Sequence, residues 1–223
     1  MTTMTTLATI TCGRCGKRHE YQPLILEGRE RFKPKLCGVC SQVEEKARLE
    51  AEAARRRAEL EAAWCRICPP AYRDTDPNFP LMDQRLLAGL MRYEPKGDGR
   101  GIGLYGPTGQ RKTRMMFLLL RKLHFAGYRV FAISSKRLTR CYSVQWGRDA
   151  IAYEAREVVT RCYRAEVLFV DDLGKERFTD TGEAEFFDLV EYRTSHLKPI
   201  LWTANATGAE LAEMMSPDRG API

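Results

Sequence analysis

Apolar and polar residues are arranged in three different ways along this chain. Residues 11–40 contain few large apolar side chains and are punctuated by Gly and Cys, which is typical of a small module without a large core. Residues 41–64 are rich in Ala, Glu and Arg and contain neither Gly nor Pro, so they predict one long, largely exposed helix. From residue 100, short apolar runs alternate with amphipathic stretches, which predicts strands alternating with helices around a mainly parallel sheet.

The apolar pattern of this α/β part places its elements in order. The predicted strands cover residues 101–105, 128–134, 167–170 and 199–203. The predicted helices cover residues 112–126, 135–163, 182–196 and 207–215. Capping boxes mark two helix starts, one formed by Ser41 and Glu44 and the other by Thr207 and Glu210. Ligands of such a sheet are expected at the carboxyl ends of its strands.

Changes in composition divide the chain into four segments. Residues 65–99 are rich in Pro and Asp and contain one short predicted helix at 81–92, which is typical of a connection. We therefore predict a cysteine module at 1–40, a charged spacer helix at 41–68, a linker at 69–99 and an α/β domain at 100–223.

The net charge of +7 is compatible with a polyanionic partner such as nucleic acid, although a solvated basic surface gives the same value. No apolar run approaches the length of a membrane span, and residues 1–7 lack the basic and apolar regions of a secretory signal. We therefore expect a cytoplasmic protein without a membrane partner. In that compartment, cysteines in C-x-x-C pairs favour a bound metal over disulfides.

Two C-x-x-C pairs, separated by 21 residues, have the spacing of a tetrahedral zinc site. The predicted ligands are Cys12, Cys15, Cys37 and Cys40. A segment with so few large apolar side chains would hardly fold without a metal. Free reduced cysteines and an iron–sulfur centre are the alternatives. A third pair, Cys65 and Cys68, follows the long helix and is unligated in the favoured interpretation.

A glycine-rich segment follows the first α/β strand and opens the next helix. It matches the phosphate-binding pattern G-x-x-x-x-G-K-[ST] except that Arg111 stands where the second glycine is expected. In that pattern, Lys112 contacts the β- and γ-phosphates of ATP, Thr113 ligates Mg²⁺, and backbone N–H groups cradle the phosphates. A Gly-rich turn without a ligand is the alternative. The predicted nucleotide-binding residues are Gly106, Pro107, Thr108, Gly109, Gln110, Arg111, Lys112 and Thr113.

Two carboxylates and one amide follow later strands at the same edge of the predicted sheet. Asp171 and Asp172 end an apolar strand, where carboxylates are costly unless they have partners. Asp171 is positioned to bind Mg²⁺, and Asp172 to orient or deprotonate an attacking water. Asn205 follows the next strand, where its amide would bridge the γ-phosphate and that water. The alternatives are aspartates that form a turn and cap a helix, and a turn-forming asparagine.

Three motifs together resemble a known group of proteins. They are the Gly-Pro-Thr-Gly loop ending in Lys-Thr, Val-Leu-Phe-Val-Asp-Asp-Leu-Gly at 167–174, and Pro-Ile-Leu-Trp-Thr-Ala-Asn at 199–205. Over residues 70–216 the chain resembles the DnaC/DnaI-type helicase loaders and, equally, the IstB-type transposition ATPases, both of the AAA+ superfamily. By this resemblance, Asp171 and Asp172 take the Walker B positions and Asn205 takes the sensor 1 position.

The resemblance implies a P-loop NTPase fold, ATP and Mg²⁺ as cofactors, and homo-oligomers on single-stranded DNA that act on a replicative helicase or a transposase. Two departures bear on catalysis. Arg111 carries a Cβ where the loop favours glycine, so weakened nucleotide binding is expected. The chain stops at Ile223, so the fifth strand, arginine finger and lid of the family are expected to be absent. An arginine finger contributes several orders of magnitude in rate, so we expect a weak or partner-dependent ATPase.

Basic residues on the helix after the second α/β strand are the candidates for nucleic-acid contact, with a solvated helix face as the alternative. They are Lys136, Arg137 and Arg140. The leading interpretation is a helicase-loader-like ATPase that acts on single-stranded DNA in replication. The alternatives are a transposition helper, or a non-hydrolysing zinc adaptor that uses a degenerate P-loop domain as a scaffold between DNA and a partner protein. The sensor-like Asn205 disfavours a P-loop kinase.

Overall fold

The computed structural model describes residues 7–26, 29–174, 180–207 and 209–211. The chain divides into two compact units, Met1–Glu59 and Leu60–Ile223, with the boundary inside a helix. No helix among the described residues is long and apolar enough to cross a membrane.

The first unit contains two short antiparallel hairpins. Strand β1 (Ala8–Thr11) pairs with β2 (Arg18–Tyr21), and β3 (Leu24–Leu26) pairs with β4 (Arg29–Phe32). Among the residues described in this unit, Cys12 is the one that is buried. The hairpins are therefore not held by an apolar core.

Helix α1, Gly38–Ile67, begins before the start that the sequence predicts. The Ser41 N–H donates to the Cys37 carbonyl at 2.9 Å, so Ser41 lies inside the first turn. The predicted capping box of Ser41 and Glu44 is therefore wrong. Cys37 takes the cap position, because its Sγ accepts a hydrogen bond from the Cys40 N–H at 3.4 Å. The second C-x-x-C pair thus leads directly into the helix.

The second unit is built on one parallel sheet. Its strands are β5 (Gly103–Tyr105), β6 (Val130–Ser134), β7 (Val167–Leu173) and β8 (Ile200–Ala204). They lie in the order β5-β8-β7-β6, and each neighbouring pair is parallel. The carboxyl ends of β5, β7 and β8 therefore meet at one edge, as the sequence predicts.

Helices cover both faces of this sheet. They are α2 (Pro70–Arg73), α3 (Gln84–Leu90), α4 (Lys112–Phe125), α5 (Ser135–Val144), α6 (Ala150–Arg164) and α7 (Asp180–Ser195). The long helix predicted at 135–163 is two helices, because Asp149 caps a new start through a 2.8 Å bond from the Ala152 N–H. The short helix predicted at 81–92 is confined to α3, which Asp83 caps.

Two apolar cores lie on opposite faces of the sheet, and strand β7 contributes to both. Val167 and Phe169 pack in the core with α4, whereas Leu168 and Val170 pack in the core with α5, α6 and α7. This alternation is the period of a strand buried on both faces. The first core also takes residues from 64–91, among them Trp64, Met82, Leu87 and Leu90, so much of the predicted linker packs against α4.

The last described residues confirm the second capping box. The Thr207 N–H donates to Glu210 Oε2 at 2.6 Å, and the Glu210 N–H donates to Thr207 Oγ1 at 3.2 Å. The rest of the helix predicted at 207–215, like the end of the chain, lies outside the described residues.

Candidate functional site

The segment 106–113, here called the phosphate loop, connects β5 to α4 and folds around the amine of Lys112. Lys112 is 9% exposed, and its Nζ donates to the carbonyls of Gly106 at 2.7 Å and Pro107 at 2.9 Å. A third bond, at 3.1 Å, reaches the side-chain Oδ1 of Asn205 beyond the end of β8. The buried charge is thus satisfied by three oxygens at the centre of the loop.

Asp171 lies beside the first turn of α4, at the end of β7. Its Oδ1 accepts hydrogen bonds from Thr113 Oγ1 at 2.8 Å and from Thr203 Oγ1 at 2.5 Å. Burial raises the pKa of Asp171 above its ordinary value, although these two hydroxyl groups oppose the rise. A hydroxyl and a half-buried carboxylate in contact are hard oxygen ligands of the kind that Mg²⁺ takes, so these residues fit that ion.

Asp172 lies at an irregularity in β7. The pairing of β7 with β8 shifts register between Val170 and Leu173, and Asp172 has φ 57° in the left-handed region. Its backbone N–H donates to Thr203 Oγ1 at 3.0 Å. Backbone in this region is uncommon outside glycine, although Asp tolerates it better than most residues. The bulge takes the two aspartates out of the β7–β8 ladder, although Asp171 still pairs with Ser134 of β6.

Thr203 is the residue of this network to which sequence reasoning gave no role. It is 1% exposed in β8, and its hydroxyl both donates to Asp171 and accepts from the Asp172 backbone. The available signal was a hydroxyl residue inside an otherwise apolar strand, because such a group needs a partner when it is buried.

Arg111 adopts a left-handed backbone conformation of the kind that favours glycine. It has φ 59° and ψ 18° and directly precedes α4. A non-glycine residue in this region costs about 1–2 kcal/mol. Its guanidinium Cζ lies 5.3 Å from the ring centroid of Phe79, a contact that sequence reasoning did not foresee.

The structure brings together the four predicted zinc ligands. The Sγ atoms of Cys12, Cys15, Cys37 and Cys40 all lie within 4.8 Å of one another. Cys65 and Cys68 are not part of this group, and Cys68 is buried in the core of the second unit. Tetrahedral zinc with bonds of about 2.3 Å places two sulfurs about 3.8 Å apart. The Sγ atoms of Cys15 and Cys37 are 3.9 Å apart, so the geometry fits zinc.

Two of the four thiols have pKa values shifted by their neighbours in the cluster. Hydrogen bonds from backbone N–H groups, first that of Cys15 and then that of Cys37, lower the pKa of Cys12 to about 6. The side chain of Cys37 is the main cause that raises the pKa of Cys40 to about 12. Negative charges on adjacent thiolates repel one another, and a divalent metal would supply the positive charge that balances this donor set.

The predicted nucleic-acid residues are exposed on α5. Lys136, Arg137 and Arg140 all face solvent, and Arg137 pairs with Glu154 at 3.6 Å. Tyr142 on the same helix is fully buried and so does not reach a base, whereas Trp146 after the helix is 72% exposed. Exposed basic side chains together with an exposed aromatic ring are the groups that proteins commonly use to bind single-stranded nucleic acid.

The strand–loop–helix unit, the acidic strand β7 that is separated from β5 by β8, and the β5-β8-β7-β6 order define the class of protein. This is a P-loop nucleotide-binding domain of the AAA+ type. The sequence profile of the IstB-like ATP binding protein family matches residues 47–218, most of the chain, and the chain belongs to that family.

Individual relatives agree with this class. The replicative helicase loader DnaI of Bacillus subtilis is 26% identical over 138 residues, which are 61% of this chain and 43% of that protein. The chain thus spans less than half the length of this relative. Among solved structures, the DnaC helicase loader is similar with a TM-score of 0.54 and 20% identity, over 69% of this chain and 94% of that one. DnaA from Aquifex aeolicus bound to AMPPCP gives a TM-score of 0.53 and 22% identity, over 69% and 47% of the two chains.

Proposed function

We propose that this protein binds ATP with Mg²⁺ at the phosphate loop and acts on single-stranded DNA as a helicase-loader-like protein in replication. The observation that carries the nucleotide site is the Lys112 amine, held by Gly106, Pro107 and Asn205 at 2.7–3.1 Å. These oxygens hold the ammonium group of Lys112, and the phosphates of a bound nucleotide would replace them as its partners. The likeness to a DnaA structure bound to AMPPCP supports the same nucleotide class.

The proposed roles of the residues follow from their positions. Lys112 neutralises the β- and γ-phosphates, while Thr113 and Asp171 hold Mg²⁺. Asp172 and Asn205, at the ends of neighbouring strands, orient the attacking water, and Asp172 takes its proton. When bound, ATP supplies the phosphoryl group and Mg²⁺ balances its charge.

Titration with a fluorescent ATP analogue in the presence of Mg²⁺ tests this site. Lys112→Ala should weaken binding at least tenfold, because it removes the buried ammonium group at the centre of the loop. Lys96→Ala, which removes an exposed lysine outside the site, is the matched control and should bind as the native chain does. If Lys112→Ala binds the analogue as tightly as Lys96→Ala does, the segment is not a nucleotide site.

Hydrolysis is proposed to be slow or dependent on a partner. Arg111 keeps the glycine-like backbone at a cost in strain, so the loop is formed but is less stable than one with glycine. Turnover should be measured for the native chain and Arg111→Gly, with and without single-stranded DNA. Stimulation by DNA supports the ATPase, whereas no turnover even in Arg111→Gly favours the alternative of a non-hydrolysing zinc adaptor.

The proposed contact with single-stranded DNA is the α5 face that carries Lys136, Arg137 and Arg140. These side chains are exposed, and Trp146 offers a ring for stacking. Arg140→Glu should reduce affinity for oligodeoxythymidine about tenfold and make the salt dependence shallower. Arg92→Glu, at an exposed arginine after α3, is the control. If both variants lose affinity equally, the loss reflects the net charge of the protein and not a DNA contact at α5.

We propose that the first unit binds zinc through its four cysteines and docks the protein partner. Hairpin β3–β4 exposes Leu24, Ile25, Leu26 and Phe32, each by more than half. Clustered exposed apolar side chains are typical of an interaction surface. A replicative helicase is the proposed partner, supported by the loader names of the relatives, and a transposase is the alternative, supported by the IstB-like family.

Capture experiments distinguish these partners. The zinc-loaded chain should retain a replicative helicase, and Ile25→Ser together with Phe32→Ser should abolish retention without changing zinc content. Leu49→Ser, which changes an exposed leucine on α1, is the control. Retention of a transposase instead of the helicase would establish the transposition helper. Sedimentation with ATP and DNA tests the proposed homo-oligomer.

A further inference from the structure

We propose that Phe79 is a positioning residue for the nucleotide, because its ring holds Arg111 in the backbone conformation that glycine supplies in other phosphate loops. This inference rests on the proposed nucleotide site. It concerns a residue 32 positions before Arg111, in the segment that the sequence predicts as a linker.

The first step is the state of Arg111 itself. Its φ of 59° and ψ of 18° lie in the left-handed region, and it provides no side-chain cap for α4. Its Nε is buried and has no hydrogen-bond partner among the described residues. The ring of Phe79, 5.3 Å from the guanidinium Cζ, makes a cation–π contact that orients the side chain.

The second step is that Phe79 is itself held in place. Its N–H donates to the Asp76 carbonyl at 3.2 Å, and its carbonyl accepts from the Met82 N–H at 2.9 Å. Met82 is buried in the core that α4 shares, so the turn around Phe79 is anchored to the same helix that Arg111 precedes. A ring on a fixed turn holds a guanidinium better than a ring on a free segment.

The third step is a second contact of the same kind, one turn further along α4. The Arg114 Cζ lies 5.4 Å from the ring centroid of Tyr72, and its Nη1 donates to Thr75 Oγ1 at 3.3 Å. Tyr72 in turn stacks on Phe117 with centroids 4.9 Å apart. Residues 72–79 thus contact the start of α4 through two arginine–aromatic pairs.

The consequence concerns the backbone on which phosphate binding depends. The peptide units on both sides of Arg111 carry N–H groups at the start of α4, and a change in φ and ψ of Arg111 would turn them. The Arg111 carbonyl also accepts from the Met115 N–H at 3.0 Å, and without the ring that backbone bond must offset the left-handed strain with less help, so the loop spends more time in other conformations. Phe79 therefore acts on the nucleotide through Arg111 rather than by contact.

The test is a double-mutant cycle on the dissociation constant of a fluorescent ATP analogue with Mg²⁺. Phe79→Leu should weaken binding about fivefold in the native background, the size of one cation–π contact at a partly exposed ring. In the Arg111→Gly background the same change should alter binding less than twofold, because glycine needs no ring to hold φ positive. Phe79→Tyr keeps the ring and should retain native affinity. Leu81→Ala, on the same segment and 68% exposed, should also leave the affinity unchanged.

Each other outcome overturns the inference in a distinguishable way. If Lys112→Ala weakens binding but Phe79→Leu does not, or does so equally in both backgrounds, Phe79 has no role through Arg111 while the nucleotide site stands. If Phe79→Leu tightens binding, Arg111 contacts the phosphate directly once released from the ring. If Lys112→Ala has no effect, the proposed function fails and the inference fails with it.

Discussion

The phosphate loop and the four-cysteine cluster both gather polar groups from distant segments, but their surroundings differ. Behind the loop, helix α4 buries Met116, Leu119 and Leu120 completely against the sheet. Around the cysteines, the described residues of the first unit bury Cys12 alone. One site is supported by an apolar core, and the other has almost none.

This difference separates a formed site from one that its ligand must form. At the loop, Gly106, Pro107 and Asn205 satisfy Lys112, and two threonines satisfy Asp171, so the geometry persists without a nucleotide. At the centre of the first unit lie the four thiols, and their neighbours lower the pKa of Cys12 and raise that of Cys40. Burial of apolar area does not provide the free energy to hold them, so the metal is expected to supply it.

Removal of zinc should therefore have the largest effect and be confined to the first unit. Cys37→Ser, or a strong chelator, should unfold residues 8–36 and leave ATP binding at the phosphate loop unchanged. Limited proteolysis with mass spectrometry, together with zinc analysis, measures this. Cys65→Ser, in the pair outside the cluster, is the matched control and should keep its zinc. If ATP binding is lost together with zinc, the two sites are not independent.

The second unit should be most sensitive at Arg193, which is fully buried in α7. Its guanidinium donates to the Cys162 carbonyl in the last turn of α6 and to the carbonyls of Ala165, Glu166 and Pro199, which precede β7 and β8. Burial lowers the pKa of Arg193 to about 10. Arg193→Met removes these donors and leaves the carbonyls unsatisfied, which should cost about 3–5 kcal/mol of unfolding free energy.

Denaturant unfolding of zinc-loaded protein measures this loss. Arg164→Met, at an exposed arginine on the neighbouring helix α6, is the control and should change stability by less than about 0.5 kcal/mol. A loss below about 1 kcal/mol for Arg193→Met would mean that water satisfies the carbonyls. The buried hydrogen bonds of Arg193 would then contribute little to the stability of the second unit.

The same contrast explains which parts of the molecule could be predicted from the sequence. Strand β7 is a run of four apolar residues followed by two carboxylates, so its burial and its polar end are both local signals. The loop pattern is also local. The structure accordingly brings Thr113 to Asp171 and Lys112 to Asn205, the pairs that the predicted sheet edge requires.

Contacts between distant segments left no such signal. Phe79 lies in a Pro-rich stretch without periodicity, so nothing in its neighbourhood indicated that its ring meets Arg111. The start of α1 was misplaced for a related reason, because Cys37 caps the helix with a thiol whereas capping rules favour hydroxyl and carboxyl groups. In both cases the side chain took a role that is set by its partner rather than by its residue type.

A smaller effect is expected at Asp171, because burial of its carboxyl group disfavours the charged form. Since burial raises its pKa in the folded state above 3.8, the stability that this group contributes is present at low pH and lost as pH rises through the folded value. At neutral pH the ionised carboxylate therefore destabilises the nucleotide-free protein. Asp171→Asn keeps an oxygen for Thr113 and Thr203, so it should raise the unfolding free energy by about 0.5–2 kcal/mol.

The same variant should lose the Mg²⁺ dependence of ATP binding, because an amide is a poor ligand for that ion. Thermal melts at pH 7 and in the acidic range measure the first effect, and the gain should shrink as pH falls and the native carboxyl group becomes protonated. Asp74→Asn, at an exposed carboxylate after α2, is the control. If Asp171→Asn lowers stability at pH 7, the hydrogen bonds from Thr113 and Thr203 outweigh the cost of burying the charge. The ionised carboxylate would then stabilise the site even without a cation. In that case the phosphate loop would be stable without its ligand, whereas the cysteine cluster needs its metal.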